Sequence, residues 1–323
     1  MNPIGARLKS LGQNWADISR KIAPACANRT CDADSFWQRL RNRPNGVRLR
    51  GDRYCRSQCV EMALLEVLDG LRAVPRSSGA GHRIPLGLLL LSRQQITALQ
   101  LETALEAQQA SGRGRIGAWL QELGFVRPQQ VTEALARQWA CPVLRTDVVV
   151  PGSKWMPVLP GLLLESFQMI PVDYVESRST LYIGFGEGID YTVLYAIEQM
   201  LQCRTEPCLV YPGVLRRSLP LHARRERTEQ IVFDQAADSP ELVRIIGNYV
   251  SQVRAVELRL ALCGPYIWVR LSRPPAPAID LLLRAPIAPN SLGFPAHRAT
   301  PAPGCLVLPK VLSGPADEPL RLA

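Results

Sequence analysis

Two stretches decide the fold of this chain: PLGLLLLSRQQITALQLETALEAQ at residues 85–108 and RIGAWLQELGFVRPQQVTEALARQ at residues 115–138. Set thirty positions apart, they align in one register. Leu86 and Gly87 recur as Ile116 and Gly117, Leu90 as Leu120, Ile96 as Val126, and Gln100 as Gln130. Leu101 recurs as Val131, Ala104 and Leu105 as Ala134 and Leu135, and Gln108 as Gln138. An internal repeat of this length is one supersecondary unit whose apolar face is completed by its neighbour. Each copy reads as two short helices joined by a turn. In the first, Leu86, Leu89 and Leu90 precede the turn, Thr97 with Gln100 has the pattern of a capping box, and Leu101, Ala104 and Leu105 supply the buried face. In the second, Ile116, Leu120 and Leu123 lead to Gly124, suited to a left-handed helix stop, and Pro128 stands where a helix begins. The expected product is a pair of αα-hairpins around a common core.

The motif resembles a known family. Leu-Gly, paired aliphatics, a turn glycine and then Leu-x3-Leu-x2-Gln, in tandem, is similar to the N-terminal domain of type II secretion and type IV pilus assembly ATPases. The resemblance continues through residues 156–219, where Leu159-Pro160, Ile170-Pro171-Val172, the strand Leu181-Tyr182-Ile183, Asp190 and a helix ending near Leu201 match the α/β half of that domain. In some members the tandem motif binds cyclic di-GMP. Carried over, the resemblance implies ligand positions at Arg115, Ile116, Gly117, Gly124 and Gln138 in the second copy and at Leu86, Gly87 and Gln108 in the first. The first copy departs from the pattern. It has Pro85 in place of the arginine and Gln94 in place of the turn glycine, so its turn is expected to change shape, because a non-glycine residue held left-handed costs about 1–2 kcal/mol. Arg83 or Arg113 is near enough in sequence to restore the lost charge. Two readings stay open: a packing unit that has lost its ligand, and retained nucleotide binding.

The family's energy-coupling machinery is not written in this sequence. There is no Gly-x4-Gly-Lys-Ser/Thr phosphate loop among its four lysines, Lys9, Lys21, Lys154 and Lys310, and after Lys154 comes Trp155 where a metal-binding hydroxyl is needed. The expected protein is not an enzyme. Gly184, Gly186 and Gly188 form a glycine run that reads as the turn after a strand. No apolar run nears the 18 or more residues that span a bilayer, and Arg7, Lys9, Asn14 and Asp17 break any secretory core, so a cytoplasmic location is expected.

The net charge of +10 is concentrated: residues 1–80 hold fourteen Lys or Arg against seven Asp or Glu. Arg39, Arg41, Arg43, Arg48, Arg50, Arg53 and Arg56 fall within one short stretch, which suits nucleic acid, anionic lipid or an acidic protein surface, or else a solvated basic face. The same segment carries Cys26-x4-Cys31 and Cys55-x3-Cys59, with a hairpin signal between them (Val47 to Arg50, a Gly51-Asp52 turn, Arg53-Tyr54) and a helix expected from Cys59 to Leu71. Knuckle, hairpin and helix resemble a treble-clef zinc module. Zinc, buried free thiols and disulfides all remain open, the last disfavoured by a reducing compartment. Cys203-x4-Cys208 has no second pair nearby and reads as structural.

These signals give an α+β multidomain chain: a treble-clef-like zinc module (1–75), a tandem αα-hairpin repeat (84–138) packed with a small α/β subdomain (150–220) within 83–220, a small α+β domain (228–285) and a Pro/Gly-rich tail (286–323). Linkers are expected at Pro75–Gly81 and Arg216–Arg227. The third segment reads as strand, helix and three strands, with the helix starting at Ser239-Pro240-Glu241 and carrying an apolar stripe of Leu242, Ile245, Ile246, Tyr249 and Val250. The expected role is a regulatory or adaptor protein with a protein partner in a secretion, pilus or motility assembly, with cyclic di-GMP as ligand and Zn2+ as cofactor. The alternative is a zinc-finger-like nucleic-acid binder that uses its basic N-terminal module.

Overall fold

The computed structural model describes residues 25–31, 37, 46–73, 83–150, 158–223, 229–235 and 238–285. Arg39, Arg41, Arg43, Lys154, the Pro75–Gly81 linker and the tail after 285 lie outside them. The described residues form a mixed α+β chain with two sheets.

The repeat folds as four helices: α2 (Leu86–Ser92), α3 (Ala98–Ser111), α4 (Ile116–Glu122) and α5 (Pro128–Gln138). They follow a hairpin of β1 (Val47–Leu49) and β2 (Asp52–Tyr54) and the helix α1 (Ser57–Ala73). The expected caps are present: Gln100 N–H donates to Thr97 Oγ1 at 3.2 Å while Thr97 N–H donates to Gln100 Oε1 at 2.9 Å. From 87–100 and from 117–130, the helices, turns and burial classes coincide position for position. Packing crosses between the copies, α2 lying on α5 and α3 on α4. Leu86, Leu90, Ile96 and Ala104 therefore share one core with Leu120, Val126, Val131 and Ala134, which neither copy closes alone. Leu105, expected inside, is 40% exposed, so the buried face of α3 is narrower than its apolar pattern suggests.

Next come β3 (Val143–Leu144), α6 (Gly161–Ser166), β4 (Met169–Val175), β5 (Thr180–Phe185), α7 (Tyr191–Leu201), β6 (Arg204–Val210) and α8 (Pro212–Ala223). Their sheet runs β3-β6-β5-β4, with β4 antiparallel to β5 and the other pairs parallel. Asp190 caps α7, accepting from Thr192 N–H at 2.8 Å. Gly184 and Gly186 serve packing: a methyl on either would lie 2.6 Å from Val210 Cγ1 or Leu215 Cδ2 respectively.

One expected linker is corrected. Residues 216–223 belong to α8, which continues through Pro220. Tertiary contacts outweigh the arginine-rich composition there, because Val214, Leu215, Ser218 and His222 are all buried. Ser218 Oγ accepts from Val149 N–H at 2.8 Å, and the His222 ring meets the Val149 carbonyl at 3.0 Å.

The last elements are β7 (Glu229–Phe233), α9 (Ser239–Val253), β8 (Glu257–Cys263), β9 (Tyr266–Ser272) and β10 (Ile279–Arg284). Asp238 caps α9, accepting from Glu241 N–H at 2.9 Å. The segments at 1–75 and 228–285, read from sequence as separate units, are joined by strand pairing. The six-stranded order is β2-β1-β8-β9-β10-β7, with β1 parallel to β8 through Arg48 opposite Glu257 and Leu49 opposite Leu258. The hairpin loop is Arg50-Gly51, one residue earlier than expected, both residues having positive φ as two-residue hairpins require.

The six-stranded sheet has two apolar faces. Leu258, Leu260, Ile267, Val269, Leu271, Leu281 and Leu283 share a core with Val60, Leu64 and Leu68 of α1 and Leu242, Ile246 and Val250 of α9. From the opposite face, Ala261, Cys263, Trp268 and Leu282 join the core of the four-stranded half, with α7 packed against both β6 and β8. One helix thus fastens the two sheets together.

Candidate functional site

The repeat glycines sit where the helices cross. A methyl on Gly87 would fall 2.6 Å from Leu101 Cδ1, and one on Gly117 would fall 3.0 Å from Leu86 Cδ2 and 3.1 Å from Val131 Cγ1. Leu101 and Val131 are themselves a repeated pair, so each glycine admits the same neighbour in its own copy. The turn glycine differs. Gly124 has φ +73° with open space beyond its Cα, the conformation for which glycine is required. The expected change of shape at Gln94 does not occur: its φ is +56°, and its N–H donates to Leu91 at 2.9 Å as Gly124 N–H donates to Gln121 at 3.0 Å. The hairpin dictates the backbone, and glutamine tolerates it. Gln95 alongside is less well placed, its Oε1 buried without a hydrogen-bond partner where the second copy has Phe125.

The terminal glutamines close the repeat on itself. Gln108 Nε2 donates to the Gly114 carbonyl at 2.8 Å, and Gln138 Nε2 donates to the Ile84 carbonyl at 2.7 Å. Arg115 precedes α4 with its side chain 51% exposed; its Nη1 donates to the Glu187 carbonyl at 3.2 Å and pairs with Glu187 Oε2 at 3.4 Å. Gly188 lies between this guanidinium and the Trp139 ring, a methyl there falling 3.8 Å from Arg115 Nη1 and 3.5 Å from Trp139 Cζ2. Arg83 stacks on that ring, 3.5 Å from its centroid, and Tyr191 stands 6.0 Å away. Sequence reasoning singled out Arg115 and proposed Arg83 but missed Trp139, Tyr191 and Glu187. No motif marks them, because they meet only after the repeat docks on the α/β half.

The four N-terminal cysteines converge. The Sγ atoms of Cys26, Cys31, Cys55 and Cys59 all lie within 4.8 Å of one another, and no other described group of His, Cys, Asp or Glu makes such a cluster. Cys31 and Cys55 approach to 3.4 Å, far beyond the roughly 2.05 Å of a disulfide. Cys26 and Cys31 flank a turn in which Cys31 N–H donates to the Asn28 carbonyl at 3.2 Å, and Ala27 N–H donates to the Arg53 carbonyl at 2.8 Å, tying this turn to β2. Cys55 precedes α1 and Cys59 lies in its first turn. Cys55 and Cys59 are buried, with the other two thiols and Tyr54 packed around them. Burial pushes both thiols upward, and for Cys55 the adjoining Cys31 adds to the effect. The four sulfurs fit a tetrahedral metal: bonds of about 2.3 Å set thiolates about 3.8 Å apart. By contrast, burial pushes Cys203 and Cys208 up to about 11, and they join no such group, in keeping with a structural role.

No family model matches the chain, and no curated protein matches it. Solved structures do. The chain is similar to MshE with cdg at 27% identity, over 43% of this chain and 99% of that one, with a TM-score of 0.37. It is also similar to the N-terminal domain of XpsE in two crystal forms. One is 18% identical over 42% of this chain and 92% of the other, with a TM-score of 0.33; the second is 20% identical over 40% and 90%, with a TM-score of 0.26. Among the described residues, no helix is long and apolar enough to cross a membrane.

Proposed function

We propose that this chain is a non-enzymatic regulatory or adaptor protein whose repeat domain binds cyclic di-GMP and whose N-terminal thiols hold zinc. The observation that carries the nucleotide reading is the placement of Arg115. Its half-exposed guanidinium sits at the start of the second copy's Ile116-Gly117 helix, beside an aromatic ring already stacked by a second arginine, Arg83. Guanidinium groups and aromatic faces together suit a ligand with planar bases and two phosphodiester anions. In this reading Arg115 contacts guanine or phosphate, the open left-handed turn at Gly124 admits close backbone approach, and Arg83 replaces the arginine missing at Pro85. Leu86, Gly87, Ile116 and Gly117 hold the helices at their crossing distance, and Gln108 and Gln138 exchange their internal carbonyl contacts for the ligand. A protein partner in a secretion, pilus or motility assembly follows from the same resemblance. Calorimetric titration with cyclic di-GMP tests the ligand: heat at micromolar concentrations that vanishes with Arg115→Ala supports it, and no heat from the parent protein rejects it. For zinc, metal analysis of protein purified without added metal should give about one ion per chain.

A second reading has its own observation. Arg48, Arg50 and Arg56 are all exposed on and beside the β1–β2 hairpin, a cationic rim suited to phosphates. Nucleic-acid binding there requires an affinity that falls steeply with salt; an absent or salt-insensitive gel shift removes this reading.

A further inference from the structure

The thiol cluster joins the Cys26–Cys31 turn to the start of α1, next to the hairpin that pairs with β8. Through β1 and β2 the N-terminal segment supplies two strands to the six-stranded sheet, and through α1 it supplies half of the helical layer over that sheet. The attachment of the hairpin is slight. Each strand has three residues, and β1 meets β8 at two residue pairs, Arg48 N–H donating to the Val256 carbonyl at 2.9 Å. A hairpin this short is marginal by itself in water. The hairpin strands put Val47 and Leu49 into the shared core, whereas the helix anchors itself there along its length through Val60, Ala63, Leu64 and Leu68. Cys55 stands between the hairpin and the helix and Cys59 in the helix's first turn, and the turn carrying Cys26 and Cys31 grips β2 through the Ala27-to-Arg53 bond.

We propose that the tetrathiolate centre is a clasp that keeps β1 and β2 on the edge of β8, so that metal loading and completion of the six-stranded sheet are one equilibrium. This rests on the zinc assignment above. In the loaded state the four bonds fix the Cys26–Cys31 turn to the start of α1, and the hairpin between them is confined to the β8 edge. Without the metal that confinement ends, the hairpin leaves, and β8 becomes the outer strand with its backbone groups unpaired, a surface open to another strand. The α1–α9 layer and the α7 contact stay, because neither depends on the thiols. The site is thereby a switch on the sheet edge, sensitive to any soft-metal chelator or thiol oxidant that competes for the four sulfurs.

Hydrogen exchange on the full chain, before and after stripping with a chelator and after zinc is returned, tests this. The expected result is exchange faster by about tenfold or more at residues 47–54 and at the β1-facing edge of β8, with β9, β10 and the four-stranded sheet unchanged, and full reversal on adding zinc. Cys26→Ser, which leaves α1 intact, should reproduce the stripped pattern. If zinc is present and removable but the hairpin stays protected, the clasp is wrong and the zinc assignment stands. If no metal is found, both fall. Loss of protection throughout both sheets also overturns the clasp, since it acts at one edge.

Discussion

Gln138 donates its side-chain amide to the main-chain carbonyl of Ile84 across 2.7 Å, joining the end of the second copy to the residue just ahead of the first. The same bond, shifted by thirty positions at both ends, runs from Gln108 to Gly114 at 2.8 Å. The repeat is thus symmetric in its polar contacts as well as in its core. A glutamine that the family pattern marks as ligand-binding also has an internal acceptor here, and a ligand taking that amide must first displace it.

The first prediction concerns this pair. Gln108→Ala and Gln138→Ala should each lower stability by about 0.5–1.5 kcal/mol, the net worth of an ordinary hydrogen bond. Because the two bonds share no partner, the double variant should come close to the sum. Urea midpoints measure all three, and a double variant no less stable than either single one would show that the bonds carry no weight.

The two turns give a second prediction. Gln94 is held at φ +56° where its counterpart Gly124 sits at φ +73°, so the first copy bears strain that the second avoids. Gln94→Gly should stabilise the chain by up to about 1 kcal/mol, and Gly124→Gln should cost about 1–2 kcal/mol. Gln95→Phe should add to the gain by replacing a buried unpartnered oxygen with the ring found at Phe125. Opposite signs for the two turn substitutions, read from thermal midpoints, are the expected result.

A third prediction separates packing from ligand approach. Gly87→Ala places its methyl 2.6 Å from Leu101, and the overpacking should cost about 1–3 kcal/mol. In a background of Leu101→Ala the same substitution should cost clearly less, giving a coupling energy that a role in ligand approach alone would not produce. Equal costs in the two backgrounds would remove the packing account of this glycine.

The sequence carried the repeat, its Thr97–Gln100 cap and the succession of elements in the third segment because those depend on near neighbours: Thr97 with Gln100, and Ser239-Pro240 at the start of α9. It also carried the four cysteines, since two short spacings around a hairpin and a helix start form a local pattern. What it did not carry was long-range. Nothing in Val47-Arg48-Leu49 states that its partner strand begins at Glu257, and nothing in the arginine-rich stretch after Arg216 states that Ser218 and His222 grip Val149. The aromatic and acidic companions of Arg115 were hidden for the same reason, as Trp139 at the end of the repeat meets Glu187 and Tyr191 at the β5–α7 turn only in the folded domain.

The final prediction concerns how the two sheets are tied. Asp280 is 1% exposed on β10, and its Oδ1 accepts from Trp268 Nε1 at 2.8 Å and from Arg270 Nε at 2.7 Å. Its Oδ2 accepts from Arg270 Nη2 at 2.6 Å, and the same Nη2 donates to the Val158 carbonyl at 3.0 Å, just ahead of α6. Arg270 is therefore held by the six-stranded sheet while it reaches the other half of the chain. Asp280→Ala leaves that guanidinium buried and uncompensated, which should cost about 3–5 kcal/mol. Replacing both partners, Asp280→Leu with Arg270→Met, removes the stranded charge and leaves only the Trp268 N–H and the Val158 carbonyl without their partners. The double variant should accordingly recover a large part of the loss, although it lacks more native contacts than the single one. Thermal unfolding of the three proteins decides the matter, and a double variant less stable than Asp280→Ala would mean that the ion pair joins the sheets by more than charge balance.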